Sequence, residues 1–242
     1  MTPNLVIAIL AAGKGKRMKS SLPKVLHEIN NKTLIENVIE TSCKLNSNKI
    51  IVIVGYKKEL IKSKLSHYSI DFAEQNEQKG TGHAIQQCEK NIRNLDGNIL
   101  ILSGDVPMIS ERTLSDLIKV HIAKDSKASL ISAEIIDPTG YGRIKRDAQN
   151  CFMSIVEHKD ATENELQINE INAGIYIFDI KTLFSKLSKI KNNNSQGEYY
   201  LGDVLKHIDK SEISIFKTSK QSEILGINNT EQLNEIIEKN IN

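Results

Sequence analysis

Residues 10–24 combine glycines and basic side chains in a pattern that could bind an anion. They read L-A-A-G-K-G-K-R-M-K-S-S-L-P-K and follow an apolar run at residues 5–9. Glycines let backbone N–H groups approach a ligand closely, and basic side chains favour an anionic one. No acidic residue occurs before Glu28, although the net charge of the whole chain is only +2. The pattern predicts a polyphosphate-binding loop, with a solvated basic surface loop as the alternative. The basic residues of the loop are Lys14, Lys16, Arg17, Lys19 and Lys24.

Two common phosphate-binding motifs do not fit this loop. The dinucleotide fingerprint G-x-G-x-x-G requires a third glycine where Met18 stands, which argues against a NAD-binding dehydrogenase domain. The P-loop G-x-x-x-x-G-K-[ST] requires a second glycine five residues after the first, and neither Gly13 nor Gly15 has one. The pattern that remains is G-x-G-x-R-M followed by Pro23 and Lys24.

Apolar strands alternate with amphipathic helices through the first half of the chain. We predict strands over residues 5–10, 49–55, 70–74 and 98–102, and helices over 33–45, 58–65, 82–92 and 111–124. Continuous apolar strands separated by helices indicate a mostly parallel sheet covered on both faces.

The second half has strand patterns with little helix between them. We predict strands over 128–135, 142–146, 151–156 and 171–179, helices over 180–190 and 198–208, and strands over 212–217 and 223–227. A terminal helix over 231–241, within residues 229–242, has Asn229 or Thr230 as its cap. The prediction is a single α/β domain over residues 1–242, with a Rossmann-like, mostly parallel mixed sheet flanked by helices and a small antiparallel excursion.

Two polar residues follow predicted strands and could bind a metal ion. In an open α/β sheet, ligands bind outside the carboxyl ends of the strands. Asp105 follows the central strand and Asn228 follows the strand predicted over 223–227, so both should lie at that edge with the glycine loop. Their oxygens could hold a hard cation together with phosphate oxygens and water. Taken alone, Asp105 could be a cap or turn residue, and Asn228 a turn residue.

The distribution of charged residues, cysteines and apolar runs indicates which kinds of partner and location to expect. The basic residues outside the glycine loop are interleaved with acidic ones, which does not favour a nucleic-acid partner. The three cysteines are widely spaced without a C-x-x-C pair, so we expect neither a disulfide framework nor a zinc site, and we expect a cytoplasmic location. The first apolar run is too short to span a bilayer, and its charges follow rather than precede it, unlike a signal peptide. We expect no membrane association.

The glycine loop and its Pro-Lys pair resemble the sugar nucleotidyltransferases (nucleoside-diphosphate-sugar pyrophosphorylases), whose motif is G-x-G-[TS]-R-[ML] followed by P-K. Further segments, spread over residues 4–241, look like the pyrophosphorylase domain of the bacterial bifunctional enzymes that make UDP-N-acetylglucosamine. The segments are E-Q-K-G-T-G-H-A at 77–84, G-D-V-P at 104–107, D-P-T-G-Y-G-R-I at 137–144, I-V-E-H-K-D-A-T at 155–162, E-I-N at 170–172, N-N-N-x-Q-G-E-Y-Y-L at 192–201 and G-I-N-N at 226–229.

The resemblance implies the nucleotide-diphospho-sugar transferase fold and a Mg²⁺-dependent transfer of a uridylyl group from UTP to N-acetylglucosamine-1-phosphate. It implies that Arg17 and Lys24 neutralise phosphates in catalysis and that Asp105 and Asn228 bind Mg²⁺. The implied nucleotide-binding residues are Leu10, Ala11, Ala12, Gly13, Lys24, Gln75, Gly80 and Thr81. The implied sugar-phosphate-binding residues are Ser103, Gly104, Gly142, Glu157, Asn172 and Asn228.

The chemistry of these residue types agrees with the implied roles in part. The amide of Gln75 offers a donor and an acceptor to a uracil edge, and the carboxylate of Glu157 can accept hydrogen bonds from sugar hydroxyls. The alternatives are a solvated strand end for Gln75, a surface ion pair for Glu157 and a cap of the following helix for Thr81. For His83 and His158 we expect packing or structural hydrogen bonds.

The chain also departs from the family pattern. Lys16 stands where the motif has Thr or Ser, Ser103 replaces a Tyr before Gly-Asp, and Ala173 replaces a Thr, which leaves sugar selectivity open. The sequence shows no match to the hexapeptide-repeat β-helix that acetylates glucosamine-1-phosphate in the bifunctional enzymes. We therefore expect either a stand-alone pyrophosphorylase, with a separate acetyltransferase as its partner, or a fragment of a longer enzyme. The alternatives are a related transferase using another sugar phosphate or nucleotide, and a catalytically silent nucleotide-sensing module.

Overall fold

A mixed sheet of nine strands, flanked by helices, forms the centre of the protein. The computed structural model describes residues 4–92 and 94–241. Within that part of the chain, no helix is long and apolar enough to cross a bilayer. The strands are β1 (Leu5–Ala11), β2 (Glu28–Ile29), β3 (Lys32–Thr33), β4 (Lys49–Val54), β5 (Asp71–Glu74), β6 (Asn98–Ser103), β7 (Ala128–Glu134), β8 (Arg143–Arg146), β9 (Phe152–Val156), β10 (Glu170–Asp179) and β11 (Ile213–Lys217). The helices are α1 (Leu34–Cys43), α2 (Lys58–Lys64), α3 (Thr81–Gln86), α4 (Glu89–Ile92), α5 (Glu111–Ala123), α6 (Glu163–Leu166), α7 (Ile180–Leu187) and α8 (Thr230–Ile241).

The order of strands brings several chain segments to one edge of the sheet. The order is β11-β7-β10-β6-β1-β4-β5, and β10 runs antiparallel to both of its neighbours in that order. The other six strands run in one direction, and β8 and β9 form the predicted antiparallel excursion beside β10. The carboxyl ends of β1, β5 and β6 therefore meet the amino end of β10. The predicted fold class is confirmed.

Strand β1 shows why the sheet is buried on both faces. Its residues alternate between two apolar clusters, with Ile7 and Ile9 in one and Val6 and Ala8 in the other. A parallel strand covered on both faces needs apolar side chains at every position, which accounts for the continuous apolar run in the sequence. The chain can leave this layer only at the strand ends, where the glycine loop begins.

A third, smaller cluster ties the glycine loop to the end of the chain. Met18, at the end of a 3-10 helix (Lys16–Met18), packs with Ile227 and Leu233, and Ile29 and Leu34 complete the cluster. This packing places Arg17 and Asn228, the sequence neighbours of Met18 and Ile227, side by side. Helix α8 begins immediately after, because Asn229 Oδ1 accepts a hydrogen bond from Gln232 N at 2.8 Å, so Asn229 is the cap.

Three predicted elements differ from the structure. The strand predicted over 223–227 is wrong: the segment contains a 3-10 helix (Gln221–Ile224), and Ile227 makes a single backbone bond to Asp105 O at 2.9 Å rather than a ladder. The helix predicted over 198–208 is a shorter 3-10 helix (Leu201–His207), because Tyr199 uses its backbone to pair with residues 79 and 82. The helix predicted over 82–92 is broken into α3 and α4.

A hairpin that the sequence analysis missed leads into α1. Asn30 and Asn31, with φ of 52° and 65°, form the two-residue turn between β2 and β3. Thr33 then caps α1: its hydroxyl accepts from Glu36 N at 3.3 Å, and the Glu36 carboxylate accepts from Thr33 N at 2.8 Å. This capping box is buried, and it fixes the start of α1 directly after the hairpin that follows Lys24.

Substitution Thr33→Ala should lower the free energy of unfolding by about 1–2 kcal/mol, because water cannot replace the lost cap at a buried position. The same substitution in the exposed capping box of α6, Thr162→Ala, should cost clearly less. Urea unfolding of both variants measures the difference. Equal losses would show that burial of the box at Thr33 is unimportant.

Candidate functional site

Two adjoining cavities open where the strand ends meet. Cavity A encloses about 240 Å³ and cavity B about 320 Å³. Both are lined by Leu10, Thr81, Ser103 and Asp105, so the end of β1 and the residues after β6 lie between them. A further cavity of about 640 Å³ beside β8 shares no lining residue with A or B, and its charged residues Arg146 and Glu170 already pair with each other.

Cavity A is lined by every residue predicted to bind the nucleotide. The end of β1 supplies its floor, and the segment before α3 supplies one wall. Gly80 has φ of +104°, and a Cβ there would lie 2.6 Å from Tyr199 O, so only glycine fits. The predicted residues that line cavity A are Leu10, Ala11, Ala12, Gly13, Lys24, Gln75, Gly80 and Thr81.

Gln75 is buried in the wall of cavity A and is not the solvated strand end considered above. Its amide nitrogen donates to Gly80 O at 3.0 Å and lies 3.0 Å from His83 Nδ1. Burial lowers the pKa of His83, which favours the neutral ring that can accept this hydrogen bond. Since the amide nitrogen is committed to protein acceptors, the amide oxygen is the group of Gln75 that suits a ligand N–H. His83 has the structural role that we expected.

Thr81 joins two segments that close over cavity A. Its hydroxyl accepts from Leu201 N at 2.9 Å, and the neighbouring Gly82 N donates to Tyr199 O at 2.8 Å. The cap of α3 is Gly80, without a side-chain hydrogen bond, so the interpretation of Thr81 as that helix cap is wrong.

Cavity B contains most of the residues predicted to bind the sugar phosphate. Ser103, Gly142, Glu157, Asn172 and Asn228 line it, together with Arg17 and Asp105. Gly104 lines neither cavity: its N–H donates to Leu10 O at 2.9 Å, and a Cβ there would meet that oxygen at 3.0 Å. Gly104 therefore packs against β1, and its predicted ligand contact stays a prediction.

The cations of the loop meet the predicted metal ligands where the cavities join. Lys24 Nζ forms an ion pair with Asp105 Oδ2 and donates to Asn228 Oδ1 at 3.0 Å. Arg17 Nη2 donates to the same Asn228 oxygen at 2.9 Å. Asp105 and Asn228 are therefore not isolated turn or cap residues, because both side chains pair with cations of the glycine loop.

The donor chemistry of this cluster fits a hard divalent cation. Asp105 Oδ2 and Asn228 Oδ1 already contact one ammonium group, so both oxygens can reach a single cation. Within residues 4–92 and 94–241, no group of three or more His, Cys, Asp and Glu side chains could hold a metal ion by itself. A magnesium ion here would need further oxygen ligands, which phosphates and water supply.

The remaining loop lysines lie apart from the cavities. Lys14 and Lys19 are exposed, and neither lines cavity A or B. The side chain of Lys16 lies outside the described residues. Of the five predicted cations, the structure brings Arg17 and Lys24 to the site.

The pKa of the Glu157 carboxyl group is higher than the ordinary value of a glutamate. Burial is the main cause that raises its pKa to about 7, and the nearby Asp203, Asp160 and Glu198 carboxylates add to the effect. It is therefore not the partner in a surface ion pair that we considered. A Cβ at Gly142 would lie 3.2 Å from Glu157 Oε1, so glycine at this position leaves room for the carboxyl group.

A β-bulge in β10 presents Asn172 at the edge of cavity B. The pairing with β7 shifts between Asn172 and Tyr176, and Gly174 within the shift has φ of +71°. Asn172 Nδ2 donates to the Tyr176 hydroxyl at 2.6 Å, and Asn172 Oδ1 accepts from Gly174 N at 3.1 Å. Both ends of the amide are thus held inside the bulge.

Several residues that line the cavities were not predicted. Gln78 and Glu198 line cavity A, and Gly140, Tyr141 and Tyr176 line cavity B. The signal for Gly140 and Tyr141 was present, because both belong to the D-P-T-G-Y-G-R-I segment in which we assigned a role only to Gly142. Tyr176 lies within an apolar strand, and nothing in that pattern separates it from the core.

Comparison with known proteins identifies the family of the chain. Residues 7–220 match the family model "Nucleotidyl transferase". Among the curated relatives, "Bifunctional protein GlmU" of Clostridium acetobutylicum is 45% identical over 238 residues, which cover 97% of this chain and 52% of that protein. The protein of the same name from Picosynechococcus sp. is 43% identical over 230 residues, covering 95% and 51%. The chain thus spans about half the length of the curated relatives it matches.

Solved structures share the fold at lower identity. HddC from Yersinia pseudotuberculosis, also solved in complex with GMP-PN, has a TM-score of 0.71 at 23% identity, covering 97% of this chain and 98% of that one. A putative glucose-1-phosphate thymidylyltransferase from Bacillus anthracis has a TM-score of 0.74 at 18% identity, covering 97% and 94%. These likenesses show the fold alone. The family model spans most of the chain, from the first strand to the residues before Asn228, and the chain belongs to the nucleotidyl transferase family.

Proposed function

We propose that the chain transfers a uridylyl group from UTP to N-acetylglucosamine-1-phosphate, giving UDP-N-acetylglucosamine and pyrophosphate. The observation that carries the proposal is the meeting of Arg17 and Lys24 with Asp105 and Asn228 at the junction of two cavities. We assign the nucleotide to cavity A and the sugar phosphate to cavity B, so their phosphates would meet at these charges. The ordered motifs shared with enzymes that make UDP-N-acetylglucosamine support these two substrates.

Electrostatic repulsion is the obstacle to this reaction. Two unit charges about 4 Å apart interact by about 4 kcal/mol at an effective dielectric constant near 20, and two phosphate groups bring several such pairs together. Arg17 and Lys24 supply positive charge at the junction, where both donate hydrogen bonds to Asn228 Oδ1. Preorganised charges of this kind stabilise a transition state without costly reorganisation of the surroundings.

The bond changes need no nucleophile from the protein. An oxygen of the sugar-1-phosphate is already anionic and attacks the α-phosphorus of UTP in line. The new P–O bond forms as the bond between the α-phosphorus and the bridging oxygen of the β-phosphate breaks, and its electrons leave with pyrophosphate. The work of the protein is therefore positioning and charge neutralisation.

Asp105 and Asn228 would hold the magnesium ion of this reaction. When bound, the ion would neutralise charge on the phosphates that share it. Lys24 occupies both oxygens in the structure described here, so its ammonium would shift toward the phosphates when the ion binds. A Lys residue suits this exchange because its flexible stem carries a compact charge.

A second candidate is a related transferase that uses another sugar phosphate. Ser103 and Ala173 both line cavity B, and both are smaller than the residues that the family motif has at these positions. Smaller side chains leave more room around the sugar, so selectivity for N-acetylglucosamine-1-phosphate depends on contacts made by Glu157 and the bulge at Asn172.

The substrate is tested by release of pyrophosphate from a grid of nucleotides and sugar phosphates. We expect the highest kcat/KM with UTP and N-acetylglucosamine-1-phosphate, no release without Mg²⁺, and no release after addition of EDTA. A higher kcat/KM with glucose-1-phosphate would favour the second candidate. Nucleotide binding without turnover on any pair would indicate a silent sensing module.

Substitution Lys24→Ala or Arg17→Ala should lower kcat about 10²-fold, equivalent to about 3 kcal/mol in the barrier, because each removes a fixed charge at the phosphates. Lys145→Ala is a matched control, since Lys145 forms an ion pair with Glu165 outside both cavities. Steady-state kinetics with saturating substrates measures the loss. Wild-type turnover in either site variant would contradict the assignment.

The raised pKa of Glu157 should make the stability of the protein depend on pH. Its pKa rises from 4.5 in the unfolded chain to about 7 in the folded one, so the folded state binds more protons between these values. The free energy of unfolding should therefore fall as pH rises from 4.5 to 7, by at most about 3 kcal/mol from this group. Glu157→Gln should remove that fall and unfold at higher temperature than wild type at pH 8.

Comparing wild type with Glu157→Gln also separates the effect of Glu157 on stability from the effect of His121. Burial lowers the pKa of His121 to about 4, so its contribution to stability rises with pH between that value and 6.5. Wild type and Glu157→Gln both contain His121, so its contribution cancels when their free energies of unfolding are subtracted. A difference between wild type and Glu157→Gln that does not change with pH would contradict the raised pKa.

A further inference from the structure

Tyr141 stands on a rigid turn at the rim of cavity B. Its N–H donates to Pro138 O at 3.2 Å, and Gly140, with φ of +85°, occupies the turn position that requires glycine. The turn ends directly before β8, so the position of Tyr141 follows from the antiparallel part of the sheet. A Cβ at Gly140 would lie 4.0 Å from an Arg17 Nη atom, which places the turn beside the loop cations.

A buried arginine holds the backbone of Tyr141. Arg143, only 1% exposed, donates through Nη1 to the Tyr141 carbonyl oxygen. Its other terminal nitrogen lies 3.4 Å from His158 Nδ1, which agrees with the structural role expected for that histidine. A buried guanidinium needs its hydrogen bonds, because a lost partner leaves a charge without compensation. The hydrogen bond from Arg143 therefore holds the carbonyl group of Tyr141 in place.

The hydroxyl of Tyr141 reaches the segment that carries Asn228. Gly226 N donates to the Tyr141 hydroxyl oxygen at 3.2 Å, and the next residue, Ile227, donates to Asp105 O at 2.9 Å. The Asn228 side chain then donates back to Gly226 O at 3.2 Å. Residues 226–228 form no regular element, so these hydrogen bonds help to fix the Asn228 oxygen relative to Asp105. The packing of Ile227 and a hydrogen bond from Asn228 N to Gln232 Oε1 at 2.7 Å hold the same segment.

We propose that Tyr141 is a positioning residue of the Asp105–Asn228 cation site. Its hydroxyl holds residues 226–228 in the conformation that keeps the Asn228 oxygen beside the Asp105 carboxylate. The inference rests on the proposed function, because that function needs a divalent cation at these two oxygens. A phenol oxygen that accepts one hydrogen bond still has its own hydrogen, which can donate to an oxygen of a ligand in cavity B.

The phenol oxygen of Tyr141 acts as an acceptor toward Gly226 N, so the positioning role rests on this hydrogen bond and not on titration of the phenol. Burial raises the pKa of Tyr141, and the charge of Asp105 raises it further, while Arg17 and the bond from Gly226 act in the opposite direction. The ring also packs against the core cluster on one face of the sheet. Tyr141→Phe keeps this packing and removes only the hydroxyl, so it separates positioning from core stability.

The test measures cation binding directly and uses Tyr68→Phe as the matched control. Tyr68 is also partly buried against the same core cluster, and its hydroxyl contacts Glu40 at 3.4 Å, outside both cavities. Binding of Mn²⁺ in the presence of UTP is followed by electron paramagnetic resonance. Binding of UTP without metal is followed by calorimetry, and thermal unfolding reports on the fold.

We expect Tyr141→Phe to raise the dissociation constant of Mn²⁺ by about three- to tenfold, the effect of losing one hydrogen bond. The Mg²⁺ concentration for half-maximal turnover should rise by the same factor. UTP binding without metal should match wild type, and both variants should lower the unfolding temperature by similar small amounts.

Unchanged Mn²⁺ binding in Tyr141→Phe, with wild type active and binding Mn²⁺, would overturn this inference and leave the proposed function intact. The same increase in the dissociation constant in Tyr68→Phe would also overturn it, because the effect would then be a general loss of stability. A wild-type chain that binds UTP but no Mn²⁺ would overturn both the metal site and the role of Tyr141.

Discussion

The ion pair between Lys24 and Asp105, with Asn228 and Arg17 around it, is the interaction on which the site depends. A concentration of positive charge suited to phosphates would repel itself in the absence of ligand. Here the carboxylate and the amide oxygen balance the cations from within the same cluster. The two oxygens therefore offset the repulsion between the cations, and oxygens of these types also suit a divalent cation.

The cluster exists because distant parts of the chain end at one edge of the sheet. Strands β1 and β6 run parallel, so the glycine loop and Asp105 emerge side by side. Asn228 arrives from the other end of the chain, held by the packing of Met18 against Ile227. Apolar contacts therefore contribute to assembling this cluster, and it does not depend on the ion pair alone.

Cavity B is built with more irregular backbone than cavity A. The bulge at Asn172, the turn at Gly140 and the segment at Gly226 are all outside regular hydrogen-bond ladders, and specific side chains hold each of them. The shape of cavity B therefore depends on residues that do not line it, such as Arg143. The raised pKa of Glu157 also depends on tertiary structure, since burial is its main cause and carboxylates from other segments add to it.

Sequence alone determined the elements whose local pattern matches their environment. The apolar strands β1, β4 and β6, the capped helix α8 and the glycine loop with Arg17 and Lys24 were predicted, because periodicity, caps and charge are local properties. The strand predicted before Asn228 was wrong because its apolar residues are buried without strand pairing: Ile224 packs into a core cluster of the main sheet, and Ile227 packs beside Met18. The roles of Tyr141 and Tyr176, the pKa of Glu157 and the pairing of Lys24 with Asp105 depend on groups far apart in the chain, so only the tertiary structure could decide them.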